Sequence, residues 1–142
     1  DRELAELIAA LDPAGQRAIA RWTARDACGR AADAALDWAP ALRALDRGEP
    51  LPAPFDDRER VTRTLFPGPS VVSAILVTSP ESRPAHTLDP AAAALGAVLG
   101  AADEDPARGA MSALNDAAAA HADPAGYLAQ VRADVPGIVR RG

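Results

Sequence analysis

The amino-acid sequence predicts an all-α fold, an irregular bundle of seven or eight helices that forms one domain over residues 1–142. The first observation is a repeated Asp-Pro step, because aspartate caps the free N–H groups of a first helical turn and proline fits its first position. The second is that apolar residues recur at helical spacing in at least six segments. The third is that only one β-rich run occurs, so a strand would lack a partner. The steps are Asp12-Pro13, Asp89-Pro90, Asp105-Pro106 and Asp123-Pro124.

Residues 2–48 are interpreted as a short amphipathic helix followed by a helical hairpin. The first helix has an apolar stripe that begins at Leu4 and ends at Leu11. A long second helix is predicted to begin at Pro13, and its alanine face permits close approach of another helix. The third helix is predicted to follow Asp37 and to end at Gly48, because a glycine readily adopts the left-handed C-cap conformation.

The middle of the chain contains a proline-rich connector, a short helix and one ambiguous run. Alternate prolines in residues 50–54 favour an extended crossing. A helix that ends at Phe66 is predicted to begin after Asp56 or Asp57. The run at residues 70–79 fits either a strand or a helix, and we favour a buried helix.

Three alanine-rich and leucine-rich segments follow the last three Asp-Pro steps, and each has the stripe of an amphipathic helix. The last of these helices is predicted to end at Pro136 and Gly137, because proline and glycine commonly terminate helices.

Composition and charge exclude several classes of protein. The net charge of −5 opposes nucleic-acid binding, which rewards a basic surface. No run of about 18 apolar residues occurs, so we expect no membrane span and predict a soluble, cytoplasmic protein. The chain begins at Asp1 without methionine, which leaves open a removed signal peptide.

One candidate ligand pocket is predicted between the second and third helices. Asp26 and Arg30 lie at i, i+4 on the face that contains Trp22, and Trp38 begins the next helix. A carboxylate and a guanidinium beside tryptophans are common in binding sites. The alternative interpretation is an ordinary intrahelical ion pair at a helix contact.

One candidate partner-binding surface is predicted on the second helix. Arg17, Arg21 and Arg25 are spaced by four residues and therefore form one basic ridge. Like charges at this spacing are unfavourable in an isolated helix, so something should offset them. The ridge predicts either pairing with carboxylates of neighbouring helices or binding of an acidic partner surface.

No residue pattern predicts a catalytic centre, a metal site or a cofactor. His86 and His121 are the only histidines, and neither has a second ligand at metal-binding spacing. His86 is predicted to lie in a solvated loop, and His121 at a helix C-terminus that favours the imidazolium. Cys28 lies among alanines in mid-helix and is predicted to be a buried structural thiol.

The stretch QRAIARWTARDACGRAA and the following LDWAPALRALDRGEPLPAPFDD resemble small, alanine-rich actinobacterial proteins of unassigned function. The resemblance covers about the first 60 residues and implies no catalytic residue. Small helical proteins of this kind include immunity proteins paired with toxins, so the resemblance implies a protein partner.

We therefore hypothesise a non-enzymatic helical protein-interaction module, such as an immunity or accessory protein that binds one partner with an acidic surface. The alternative hypothesis is a small-molecule-binding protein or enzyme that uses the predicted pocket. A cavity with convergent polar groups would favour the alternative, whereas a solid core with a charged surface patch would favour the interaction module.

Overall fold

A computed structural model describes residues 1–67 and 88–142 of the chain. These residues contain seven α-helices and no strand, which confirms the predicted all-α fold. The run at residues 70–79 and His86 lie outside the described residues. The helices are α1 (Arg2–Ala10), α2 (Pro13–Arg30), α3 (Ala39–Arg47), α4 (Arg58–Leu65), α5 (Pro90–Ala101), α6 (Pro106–Ala118) and α7 (Pro124–Arg141).

All four Asp-Pro steps begin helices, as the sequence predicts. The Asp105 carboxylate accepts hydrogen bonds from the N–H groups of Ala107 and Arg108, at 3.0 and 3.1 Å. Each cap satisfies a first-turn donor that has no partner inside its helix. The other three contacts join Asp12 to Gly15 (2.7 Å), Asp89 to Ala91 (2.8 Å) and Asp123 to Gly126 (2.9 Å).

Replacing Asp105 by Ala is expected to lower the free energy of unfolding by about 1 kcal/mol, because two first-turn N–H groups lose their acceptor. Asp56→Ala is the matched control. The sequence leaves open whether Asp56 or Asp57 caps α4. In the structure the cap is Asp57, which accepts from the Arg60 N–H at 3.1 Å, so Asp56→Ala removes an aspartate that does not cap the helix. Urea unfolding compares the two variants, and equal midpoints would show that the Asp105 contact does not stabilise the fold.

The core is built where α2, α5 and α6 pack against one another. Small residues allow their backbones to approach closely. A Cβ atom on Gly100 would lie 2.9 Å from the backbone nitrogen of Ala113, and one on Gly109 would lie 2.7 Å from the carbonyl oxygen of Gly100. The buried alanines at these contacts are Ala20, Ala24, Ala27, Ala31, Ala93, Ala94, Ala97, Ala110, Ala113 and Ala117.

The remaining helices surround this three-helix core. Leu4 and Ile8 of α1 are buried, and the Gln16 side chain donates to the Ile8 carbonyl at 3.1 Å, which holds α1 against α2. The ring centroids of Trp38 and Phe55 lie 5.9 Å apart, so they pack the start of α3 against the proline-rich connector. The described helices therefore share one hydrophobic core. No described helix has the length and apolar composition needed to cross a membrane.

The predicted end of the last helix is wrong. Helix α7 continues through Pro136 to Arg141, although a proline inside a helix removes one backbone hydrogen bond. Pro136 lies on the exposed side, whereas Val135 and Ile138 are buried against the core. Burial of the last turn offsets the lost hydrogen bond.

Candidate functional site

In the described part of the chain, the four residues of the predicted ligand pocket lie at different clefts. Asp26 and Arg30 face a cleft formed by α2, α5 and α6. Trp22 is half-buried against the end of α7. Trp38 is only 6% exposed, and its indole N–H donates to the Ala31 carbonyl at 3.1 Å. Trp38 therefore packs on the end of α2 as a core residue, and the clefts among the described residues do not bring it together with Asp26 and Arg30.

The cleft at Asp26 and Arg30, which we call the polar cleft, has a volume of about 300 Å³. One Asp26 oxygen accepts from Arg30 Nε at 3.3 Å, and the two side chains are 28% and 53% exposed, respectively. The other described residues of the cleft wall are apolar except for one imidazole. They are Ala27, Pro90, Ala93, Ala117, Ala120 and His121.

A stacked imidazole and phenol lie behind the polar cleft. The rings of His121 and Tyr127 are 4.0 Å apart between centroids and inclined by 18°. Within residues 1–67 and 88–142, His121 Nε2 and the Tyr127 hydroxyl are buried and have no hydrogen-bond partner. Burial and the Arg30 charge lower the pKa of His121, which disfavours the imidazolium that the sequence predicts. Burial and the Asp26 charge raise the pKa of Tyr127, so the phenol remains neutral.

The predicted arginine ridge borders the end of α3 on one side and the end of α7 on the other. Arg25 forms an ion pair of 2.6 Å with Asp46, with both side chains about half exposed. Arg17 donates to the backbone carbonyl of Glu104 at 3.2 Å. Two of the three arginines therefore have a contact inside the fold.

Arg21 lies between two depressions and differs from its neighbours. It is half-buried, and no residue of the described part of the chain accepts a hydrogen bond from it. With Arg17 it borders a cleft of about 410 Å³ that has an apolar wall of Leu45, Leu51 and Ala101 and also includes Glu49. On its other side lies a depression of about 260 Å³ lined by Ala18, Trp22, Arg25, Ile138, Arg141 and Gly142.

We call Arg17, Arg21, Trp22, Arg25 and Arg141 the arginine face. Sequence spacing predicts its three α2 arginines but not Trp22 or Arg141, which join the face only because α7 packs beside α2. His121 and Tyr127 likewise come close to Asp26 only through packing of the helices, because their positions in the sequence are not at helical spacing from it. Tertiary packing therefore completes both candidate sites.

Cys28 is a buried structural thiol, as predicted. It is 4% exposed, and burial raises the pKa of its thiol to about 12, so the reactive thiolate is disfavoured. Among the residues that the structure describes, no group of three or more His, Cys, Asp or Glu side chains is placed to hold a metal ion.

The chain matches no protein-family model, no curated protein and no solved structure.

Proposed function

We propose that the protein is a non-enzymatic helical interaction module that binds one acidic protein partner in the cytoplasm through the arginine face. An immunity or accessory protein is the form of this function that the sequence resemblance implies. The observation that supports the proposal is Arg21, a half-buried guanidinium for which residues 1–67 and 88–142 provide no acceptor. A carboxylate on a partner would provide that acceptor.

The chemistry around Arg21 suits a protein surface. A guanidinium pairs with a carboxylate through two parallel hydrogen bonds, which fixes the orientation of the partner. Trp22 lies beside Arg21 and is half-buried, so a partner can cover its exposed edge. Arginine and tryptophan are enriched among the residues that contribute most to protein interfaces. The arginine face thus combines a charged contact with an aromatic anchor.

The Arg25 ion pair does not prevent such binding. Both of its side chains are exposed, and an exposed ion pair contributes only about 0–1 kcal/mol. A partner carboxylate can therefore replace Asp46 at little cost. The face has four arginines against the nearby Asp46 and Glu49, in a chain whose net charge is −5. This local reversal of charge favours approach of an acidic surface in one orientation.

The experiment compares partner capture by the wild-type protein with capture by the triple variant Arg17→Glu, Arg21→Glu and Arg25→Glu. We expect the variant to lose one acidic protein that the wild type retains from a lysate of the native host. Binding of that protein, once purified, should be at least tenfold weaker to the variant, because the loss of a charged hydrogen bond reduces affinity by about that factor or more.

Arg63→Glu is the matched control, because Arg63 is an exposed α4 arginine with its own ion pair to Glu59 at 3.7 Å, away from the arginine face. It should keep the partner. Melting curves of both variants should stay close to that of the wild type. A triple variant that keeps full capture, or that unfolds at a much lower temperature, would assign the arginines to the fold and contradict the proposal.

A further inference from the structure

The polar cleft contains the opposite charges of Asp26 and Arg30, which pair with each other through only one contact. Asp26 contacts Arg30 through the Nε atom alone, at 3.3 Å. In the described part of the chain, the two terminal nitrogens of Arg30 donate to no residue. The Asp26 carboxylate accepts from Arg30 Nε and acts on the nearby Tyr127 hydroxyl, whose pKa it raises, and it remains partly exposed to the cleft. A guanidinium with free terminal nitrogens can bind a carboxylate, and a free carboxylate oxygen can accept from an ammonium group.

The walls of the polar cleft restrict the size and polarity of what fits. A volume of about 300 Å³ is at the lower limit for small-molecule sites, so this cleft would accept only a small ligand. Alanines and Pro90 provide an apolar surface for a short side chain. Among the described residues of this wall, His121 is the polar one, and burial and the Arg30 charge lower its pKa, which disfavours the charged imidazolium.

We propose that the polar cleft binds a small zwitterion of the α-amino-acid class, with its carboxylate on Arg30 and its ammonium on Asp26. The site is separate from the arginine face, and it goes beyond the proposed protein interaction. Asp26 and Arg30 lie one helical turn apart, which places the two charges a few ångströms from each other, as they are in an α-amino acid.

Ligands with a single charge fit this site less well. A simple carboxylate would be attracted by Arg30 but repelled by Asp26. A simple amine, in its ammonium form, would be attracted by Asp26 but repelled by Arg30. A neutral molecule would leave both charges without a new partner while removing water from them. A zwitterion alone compensates both groups.

The test titrates the full chain with L-alanine, L-valine, L-leucine, L-proline and L-phenylalanine and follows backbone amide signals by NMR. We expect saturable shifts of residues that line the cleft for at least one of these amino acids. The N-acetyl and carboxamide derivatives of the best ligand, each of which lacks one charge, should bind at least tenfold more weakly. If no amino acid binds, or if the derivatives bind equally well, the proposal is overturned.

Two variants test the residues themselves. Asp26→Asn should abolish the preference for the free amine over its acetylated form, and Arg30→Gln should abolish the preference for the carboxylate over its amide. Glu59→Gln with Arg63→Gln is the matched control, because it neutralises another exposed i, i+4 pair. Unchanged selectivity in both cleft variants, or an equal loss in the control, would also overturn the proposal.

Discussion

Replacing Gly109 by Ala is expected to destabilise the protein by about 1–3 kcal/mol, the usual cost of forcing an extra carbon into a packed core. The new Cβ atom would lie 2.7 Å from the carbonyl oxygen of Gly100 and 3.3 Å from the Cβ atom of Asp103. The Gly100 oxygen belongs to the backbone and accepts from the Asp103 N–H at 3.0 Å, so it cannot move without disturbing the end of α5. Thermal unfolding should show a melting temperature several degrees lower.

Gly29→Ala is the matched control for this prediction. Gly29 also lies in a helix, but no heavy atom lies within 4 Å of the position that its Cβ atom would take. Alanine there should stabilise the protein by roughly 0.5–1 kcal/mol, because it restricts the unfolded chain and adds no clash. A free energy of unfolding that falls in Gly109→Ala and rises in Gly29→Ala would demonstrate close helix packing at Gly109. If Gly109→Ala were neutral, α5 and α6 would have to lie farther apart than described.

Local signals predicted most of the fold. The Asp-Pro steps act within one helical turn, so their meaning does not depend on the rest of the chain, and all four begin helices. Pro136 shows the limit of this reasoning. Its local signal favours a helix end, but the burial of Ile138 depends on where α7 meets the core, which no local pattern contains. Tertiary packing overrides local propensity there.

The candidate sites were predictable only where their residues share one helix. Asp26 and Arg30 form the predicted i, i+4 pair, and the spacing of the α2 arginines gives their common face. His121 reaches the polar cleft from the α6–α7 connection, and Tyr127 of α7 stacks on His121 behind it. Their position depends on how three helices cross, and tertiary packing sets that angle, whereas residue spacing within one helix does not.

The two tryptophans, which the sequence assigns to one pocket, should respond very differently to removal. Trp38→Ala is expected to lower the free energy of unfolding by about 3–5 kcal/mol, the range for deleting a buried aromatic side chain. Its ring is 6% exposed and packs against Phe55. Trp38→Phe should cost clearly less, because the Ala31 carbonyl that loses the indole N–H still accepts from the Ala34 N–H at 3.0 Å.

Trp22→Ala provides the contrast, because Trp22 is half-buried and borders the arginine face. We expect it to cost much less stability than Trp38→Ala and to weaken binding of the acidic partner, because its exposed edge is available for contact. Urea unfolding measures the first effect, and titration with the purified partner measures the second. If Trp22→Ala destabilised the fold as strongly as Trp38→Ala and left partner binding unchanged, Trp22 would be a core residue and the arginine face would lose its aromatic anchor.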